Sequence, residues 1–415
     1  MLRETKELLK TSKNETEAEK NLLFEAKQTI SQLEEEARIH EKERRYLHNT
    51  ILELKGNIRV FARVRPLLKN EVEVESDFSS PNGLTILLPP NDPERRKLKL
   101  LGPCRDTLMG DKGEPSTWEF QFDGVFGPDR KQSDLFEEIS QLVQSVLDGY
   151  KVCLFAYGQT GSGKTYTMEG GNDDESRGMI PRAVHQIFAT IEAMKRTGWA
   201  FDVHATHLEV YNESVRDLLA HNSSKSLNIK HLKDGSSYVN GLSKHPLKSP
   251  NQVDVLLQKA AKVRATSATQ CNDTSSRSHS VFQLHVNGVL SNGSEERRGC
   301  LTMVDLAGSE RVVKSGAKGS LLKETQAINK SLAALGRVIL ALANNESHVP
   351  YRESKLTHLL QNSLGGTSKC LMLVNLSPAP QHQGETLCSL RFAQTVNHCD
   401  IGTAKANSRR ENTIG

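Results

Sequence analysis

The feature that most constrains this chain is one short run, Gly158-Gln-Thr-Gly-Ser-Gly-Lys-Thr165, entered from the apolar segment Val152-Cys-Leu-Phe-Ala-Tyr157. A strand that feeds a glycine loop and leaves through a helix turns successive backbone N–H groups toward one anion. The spacing, in that context, is the phosphate-loop pattern. Gly158, Gln159, Thr160, Gly161, Ser162 and Gly163 form the cradle. Lys164 supplies charge to the β and γ phosphates, and the Thr165 hydroxyl is placed to ligate Mg²⁺. Apolar strands alternate with helical segments downstream, so the fold class is α/β, a mixed central sheet with helices on both faces.

Upstream, residues 1–55 contain neither proline nor glycine and are dense in Glu, Lys, Leu and Ala. A heptad laid on them has a positions at Leu2, Leu9, Thr16, Leu23, Ile30, Ala37, Arg44 and Ile51. Its d positions are Thr5, Ser12, Glu19, Ala26, Leu33, His40, Leu47 and Leu54. Residues 23–37 make a credible seam, which Leu47, Ile51 and Leu54 resume; Ser12, Thr16 and Glu19 weaken its start, and His40 and Arg44 interrupt it. Two outcomes fit this pattern, a parallel dimer or a single solvated helix. A heptad in phase from the first residue is expected of a piece of a longer stalk.

Gly56 closes the helical pattern, and Ile58-Arg-Val-Phe-Ala-Arg-Val64 then alternates as a strand. Prolines punctuate residues 67–118 as hairpins and loops, and Phe120-Gln-Phe-Asp-Gly-Val-Phe126 reads as a further strand. Leu135, Ile139, Val143 and Val146 recur at helical spacing over residues 133–147, with Ser133 as the cap and Gly149 as the stop. The polar residues 402–415 are expected to be disordered. The expected division is a neck over 1–55, a globular domain over 56–400 and a flexible tail over 401–415.

Composition limits the alternatives. A net charge of +4 gives no support to wholesale nucleic-acid binding. Residues 1–55 hold 11 Lys and Arg against 12 Asp and Glu, so the remainder is mildly basic and suited to an acidic partner. The seven cysteines show no metal-ligand spacing and read as reduced thiols of an intracellular protein. No apolar run reaches membrane-spanning length, and the charged start is unlike a signal peptide.

What the phosphate loop serves depends on its sensors. Val304-Asp-Leu-Ala-Gly-Ser-Glu310 follows an apolar strand, and its Asp-x-x-Gly core sets a carboxylate near the metal and a glycine N–H near the γ phosphate. GTPases share that core, but their purine-reading Asn-Lys-x-Asp is absent: Asn329-Lys330 runs into Ser331-Leu332. Asn272-Asp-Thr-Ser-Ser-Arg-Ser-His279 offers further hydroxyls, and spacing alone leaves it either a phosphate loop or a solvated turn.

Taken together, Arg63-Val-Arg-Pro66, Phe120-Gln-Phe-Asp123, Phe155-Ala-Tyr-Gly-Gln-Thr-Gly-Ser-Gly-Lys-Thr165, Glu209-Val-Tyr-Asn-Glu213, Ser275-Ser-Arg-Ser-His279, Asp305-Leu-Ala-Gly-Ser-Glu310 and His348-Val-Pro-Tyr-Arg352 resemble the kinesins across nearly all of residues 56–400. The join Leu54-Lys-Gly-Asn-Ile-Arg-Val60, with the coil on its N-terminal side, resembles kinesin class fourteen. The resemblance implies the kinesin motor fold, ATP and Mg²⁺, and microtubule-stimulated ATP hydrolysis. It implies that Arg63 and Pro66 line the adenine pocket with Tyr166 stacking on the base, and that Thr165, Ser276 and Asp305 attend the metal. Ser275 and Asn272 then position the γ phosphate and water, the Gly308 N–H senses that phosphate, and Arg277 and Glu310 form an ion pair that closes the site. For the microtubule face it implies the helix 324–342 and the stretch 351–357, with Arg352 and Lys355 foremost and Lys330, Arg311, Lys314 and Lys318 secondary.

Val263, Ala333, Arg337 and His358 depart from the family pattern without touching phosphate chemistry. A static microtubule crosslinker needs a broken catalytic set, yet Lys164, Thr165, Arg277, Gly308 and Glu310 are in place. A purely structural coiled coil leaves about 350 residues unexplained. The lever on offer is the helix ending at Lys55, joined to the core at Gly56-Asn57, where Gly56 permits close approach and Asn57 is expected to hydrogen-bond across the joint. Its swing predicts minus-end-directed movement. The expected setting is the cytoplasm, cytoskeleton and mitotic spindle, with nuclear residence in interphase, a homodimer through the neck, and no nucleic-acid or membrane partner.

Overall fold

The computed structural model describes residues 2–71, 85–106, 112–220, 226–232, 237–267, 274–310, 320–365, 368–399 and 404–410. A 53-residue helix, α1 (Leu2–Leu54), leads into β1 (Ile58–Val64), β2 (Ile86–Leu87), β3 (Lys97–Asp106), β4 (Lys112–Gln121) and β5 (Gly124–Phe126). Next come α2 (Gln132–Leu147), β6 (Lys151–Tyr157), α3 (Lys164–Met168), α4 (Met179–Lys195), β7 (Trp199–Tyr211), β8 (Ser214–Asp217), β9 (Ser226–His231), β10 (Ser237–Asn240) and β11 (His245–Pro246). The chain continues through α5 (Gln252–Ser267), β12 (His279–Leu290), β13 (Glu295–Asp305), α6 (Ser320–Ala343), α7 (Lys355–Leu364), β14 (Lys369–Leu376), α8 (Gln383–Asn397) and β15 (Ser408–Arg410).

The main sheet runs β10-β9-β8-β7-β12-β13-β6-β14-β1-β5, parallel from β13 to β5 and antiparallel on the other side. Strand residues alternate between two cores, as the pleat requires. Val60, Ala62, Phe155, Met372 and Val374 pack with α6, α7 and α8. Phe61, Leu154, Ala156, Leu371 and Leu373 pack with α2, α4 and α5. The mixed sheet with helices on both faces is thus the observed architecture. β1 departs from its alternating pattern, because both faces are covered and even Arg59 and Arg63 are buried.

Three local expectations are corrected. First, α2 starts one residue early at Gln132, and its first turn is held by the Lys131 N–H donating to Asp134 Oδ2 at 3.3 Å, not by Ser133. Secondly, the tail is not wholly loose, since β15 pairs antiparallel with residues 295–297 of β13. Only residues 300–305 of β13 are taken by β6, so its first half presents a free edge that the tail covers. The Arg298 N–H donates to the Asn407 carbonyl at 3.0 Å, and the Asn407 N–H to that of Gly149 at 2.9 Å.

The third correction concerns the neck joint. Asn57 bonds to the core through its backbone, its carbonyl accepting from the Cys370 N–H at 2.7 Å, but its side-chain Oδ1 is buried with no hydrogen-bond partner. Asn49, eight residues earlier, makes the side-chain bridge: its Nδ2 donates to Asp148 Oδ2 at 3.2 Å, while Lys369 Nζ donates to its Oδ1. Lys369 also donates to Ser145 Oγ at 3.0 Å and lies 4.0 Å over the Tyr150 ring. His48 Nε2 reaches the Gln141 carbonyl at 3.0 Å, Arg45 pairs with Glu295 at 3.5 Å, and Leu52 joins the α2 side of the core. Burying a leucine is worth roughly 1.5–3 kcal/mol, so the last turns of α1 are seated on the core. Higher up, residues 16–33 are exposed.

Candidate functional site: a phosphate cradle with an open latch

β6 delivers the loop at the centre of the sheet, where Gly158, Gly161 and Gly163 take φ of +148°, +77° and +97°. At Gly158 a side chain is excluded twice over, since a Cβ would lie 2.3 Å from the Asn375 carbonyl oxygen. Lys164 is buried, and its Nζ donates to the carbonyls of Gly158 and Gln159, both at 2.9 Å. Burial pulls its pKa down while Asp305 and Glu310 oppose that shift. The ammonium is therefore held in the loop mouth by carbonyls that a phosphate oxygen can replace. Ser162 Oγ and Gln159 Oε1 are buried without partners.

β13 ends at Asp305 beside this loop. Thr165 Oγ1 donates to Asp305 Oδ2 at 2.6 Å, and Asp305 Oδ1 is buried with no hydrogen-bond partner. Burial raises the Asp305 pKa, offset by Lys164, the Thr165 bond and Arg264. A desolvated carboxylate with one orphaned oxygen, adjoining a threonine hydroxyl, is a donor set suited to a hard cation or its water. The Gly308 N–H donates to the Ser276 carbonyl at 2.9 Å, which ties the two sensor segments together. Ser275 lies in a short 3₁₀ turn at Thr274–Arg277, and its side chain falls outside the described residues, as does Asn272 altogether.

Arg277 and Glu310 do not form the expected pair in this structure. Glu310 accepts from the Thr160 N–H at 2.9 Å and the Thr160 hydroxyl at 2.6 Å. Arg277 Nη1 instead reaches Glu324 Oε2 on α6 at 3.5 Å. Each charge has found a local partner, so the latch stands open. The Glu310 carboxylate and Thr160 hydroxyl fill the space beside Gly308, where a Cβ would lie 2.3 and 2.4 Å from them.

The expected base pocket is a groove of about 670 Å³ lined by Arg63, Pro66, Gln132 and Tyr166 among others. Tyr166 is half exposed and lies 5.5 Å from the Arg63 guanidinium. Arg63 is buried beneath the groove and donates to Gln132 Oε1 at 2.6 Å and Thr167 Oγ1 at 2.8 Å. Gln132, and Asn375 donating to Thr167 at 2.7 Å, are supports that sequence reasoning missed. Both come from elements distant in sequence and carry no motif of their own. Arg65, inside the quoted Arg-x-Arg-Pro run, was also passed over; it donates to the Gly161 carbonyl at 2.8 Å and pairs with Glu71.

The expected partner face is assembled from α6, the 3₁₀ turn Tyr351–Glu353 and the start of α7. Lys330, Arg337 and Arg352 are exposed and Lys355 partly so. Ser354 caps α7 by accepting from the Thr357 N–H, and Glu213 accepts from that of Lys355 at 3.1 Å. Two departures from the family pattern have local partners here. Arg337 donates to Glu353 at 2.6 Å, and His358 Nε2 lies 2.8 Å from His231 Nε2. Lys314, Arg311 and Lys318 fall outside the described residues.

A family model described as the kinesin motor domain matches residues 63–399. Kinesin-like protein KIN-14C of Arabidopsis thaliana is 47% identical over 406 residues, which cover 94% of this chain and 49% of that protein. Carboxy-terminal kinesin 2 of Xenopus laevis is 49% identical over 385 residues, 91% of this chain and 58% of that protein. The chain thus spans about half the length of the curated relatives it matches. Among solved structures, the C-terminal motor and motor homology domain of Kar3Vik1, fused to a synthetic heterodimeric coiled coil, is 40% identical with a TM-score of 0.80, covering 94% of this chain and 98% of that one. The Kar3-like motor domain from Ashbya gossypii is 42% identical with a TM-score of 0.68, covering 82% of this chain and all of the other. The open latch, the cradle and the clasped neck helix are therefore those of a kinesin motor domain, and the chain belongs to that family, beside the kinesin-14 and carboxy-terminal kinesins.

Proposed function

We propose that this chain is a microtubule-stimulated ATP hydrolase that converts turnover into minus-end-directed movement, acting as a homodimer on the cytoskeleton of the cytoplasm and spindle, with nuclear residence in interphase. One observation carries the reading: a single strand, β14, touches both the phosphate site and the neck. Near its end Asn375 bonds Thr167 of α3, and at its start Lys369 holds Asn49 of α1. The two contacts are about 20 Å apart at the usual rise of a strand. A shift of the phosphate elements relative to the sheet is thereby coupled to the base of the lever.

In the cradle, Lys164 and the loop N–H groups hold and orient the phosphates, and Tyr166 with Pro66 holds the base. Thr165, Ser276 and Asp305 are the residues that would hold Mg²⁺ or its water. When bound, the metal neutralises phosphate charge. Closing the latch requires Glu310 to leave Thr160 and Arg277 to leave Glu324; the pair then excludes solvent and relays the proton of the attacking water. Such chemistry asks for positioning and charge stabilisation rather than covalent catalysis. Arg352, Lys355 and Lys330 present positive charge to the acidic tubulin surface, with Lys314 assigned to the same face.

Hydrolysis measured with and without microtubules, together with gliding of polarity-marked microtubules, tests this. Stimulated turnover with minus-end-directed motion is expected. Turnover indifferent to microtubules would sink the motor reading, and stimulated turnover without gliding would favour a static crosslinker.

A further inference from the structure

On the side of the sheet that carries α6 and α7, Val281 of β12 and Val304 of β13 belong to the core, but farther along the same face both strands turn polar. Register places Lys151 of β6 beside Cys300 of β13, Cys300 beside His285 of β12, and His285 beside His204 of β7. Residues two apart along a strand share a face, so these four side chains form one row across four strands. A second row lies between it and the core: Thr206 Oγ1 donates to Gln283 Oε1, and Gln283 Nε2 to Thr302 Oγ1, both at 3.4 Å.

The rows floor a cavity of about 360 Å³ whose walls include Leu359 and Asn362 of α7 and Ser237 of β10. That volume falls in the range of small-molecule sites. Asn362 ties two walls together, its Oδ1 accepting from the Ser237 N–H at 2.9 Å and its Nδ2 donating to the Ser237 carbonyl. The charge is one-sided: Lys151, Lys244 and Arg298 line the cavity, and among the described residues that do so none is acidic. Two carboxylates stand on neighbouring strand positions. Glu296 is taken by Arg298 at 2.8 Å, and Asp202, mostly exposed, lies 3.8 Å from His204 Nδ1. Lys151 is partly buried, and neither it nor Lys244 has an ion pair among the described residues. Lys151 acts on the Cys300 thiol and Lys244 on the His285 ring. Burial, with His204 and Lys244 adding to it, lowers the His285 pKa to about 4, so the ring is neutral and offers one donor and one acceptor.

We propose that this cavity binds a small phosphate monoester, with the phosphate between Lys151 and Lys244 over the Cys300–His285 pair and the organic body hydrogen-bonded by Gln283, Asn287 and Asn362. Two ammonium groups without a counter-charge match a phosphate monoester, which carries close to two negative charges at neutral pH, and lysine serves such groups as a point charge. None of the lining residues belongs to the phosphate loop, so the site is separate from the nucleotide cradle. Its occupant ties the inner side of α7 to the sheet.

The test titrates glycerol 3-phosphate into the whole chain by calorimetry, with ADP and Mg²⁺ saturating throughout so that the phosphate loop stays filled, and with the melting temperature measured alongside. Binding at one site is expected. Lys151→Met and Lys244→Gln should each weaken it by roughly 10–100-fold, the loss that follows from removing one hydrogen bond to a charged group. Lys230→Gln removes an exposed cation of β9 outside the cavity and should leave binding unchanged. Lys244 is exposed between β10 and β11, so Lys244→Gln decides the question where Lys151→Met does not fold. An equal loss in Lys230→Gln would reveal diffuse attraction, and undiminished binding in the cavity variants would place the anion elsewhere; either result overturns the proposal, as does an unmodified protein that binds no glycerol 3-phosphate. Succinate, a dianion whose charges lie apart, should bind about ten-fold more weakly, and equal affinity would overturn the choice of a phosphate. Failure of ADP itself to bind is a separate result, which overturns the nucleotide reading and leaves this cavity to be judged by its own variants.

Discussion

At the residue scale, the open latch makes the sharpest expectations. Glu310 is held by the Thr160 amide and hydroxyl, so Thr160→Val removes one restraint on closure. A hydrogen bond of that kind is worth about 0.5–1.5 kcal/mol, and the closed arrangement should gain accordingly. Release of a non-hydrolysable ATP analogue should slow by roughly two- to ten-fold; an unchanged rate would show that the hydroxyl does not restrain Glu310. Arg277→Ala and Glu310→Ala should each abolish hydrolysis while leaving ATP binding largely intact, and the double variant should be little worse, because the two act as one unit. Multiplicative losses in single-turnover assays would separate them. Lys164→Ala or Thr165→Asn should cost about 10²-fold or more in turnover, by analogy with loss of one fixed electrostatic donor. These residues are legible in sequence because the cradle is a contiguous run whose spacing is its geometry. The present partners of Arg277 and Glu310 are not legible, because Thr160 and Glu324 are chosen by tertiary proximity and by the state of the site.

At the element scale, α7 meets β9 through two histidines whose contact makes this edge of the face sensitive to pH. His231 on β9 and His358 on α7 stack at 4.6 Å with their Nε2 atoms 2.8 Å apart. Burial is the main cause that lowers the His358 pKa from its ordinary 6.5, with His231, Lys355 and Arg352 adding to it. A base with a depressed folded pKa is neutral there over a range in which the free imidazole is charged. The contact is therefore fully present above about pH 6.5 and is lost as pH falls through the depressed value. Microtubule cosedimentation should be constant above about pH 6.5 and weaken as pH falls below it, and His358→Phe should flatten that dependence; identical profiles would remove the pair from the binding face. Arg352→Ala and Lys355→Ala should raise the microtubule concentration for half-stimulation with little change in basal ATPase. Binding overall should fall steeply with salt, since exposed charges are screened over roughly 8–10 Å. Elements with strong periodicity, such as α2 and β6, were legible in the sequence. β15 was not, because three polar residues form a strand only where β13 leaves an unpaired edge.

At the scale of the whole molecule, the observed docking of the neck and the proposed dimer would use different sides of one helix. Arg45, Asn49 and Leu52 face the core, whereas Leu47, Ile51 and Leu54 are exposed. Two residues' offset is about 200° around an α-helix, so the two stripes lie nearly back to back. Leu23, Ile30 and Leu33 continue the exposed stripe. Sedimentation at micromolar concentration should show a dimer that loosens on Ile51→Lys, and a strict monomer would leave α1 a solitary helix. Direction follows from the docking side. Asn49 is held from both faces, by Lys369 and by Asp148. The Lys369 ammonium is desolvated, its pKa pulled down to about 8 against the pull of Asp148 and Glu53. Asn49→Lys would set a second ammonium against it in a buried site, a like-charge contact that undocking relieves. The helix should then spend more time released in every nucleotide state, and an angle that no longer depends on nucleotide cannot rectify motion. ATPase should persist, because the cradle lies at the other end of β14, while the minus-end bias in polarity-marked gliding weakens or disappears. Swift, fully minus-end-directed gliding by Asn49→Lys would show that the clasp does not set direction, and the lever would have to be sought elsewhere on the core.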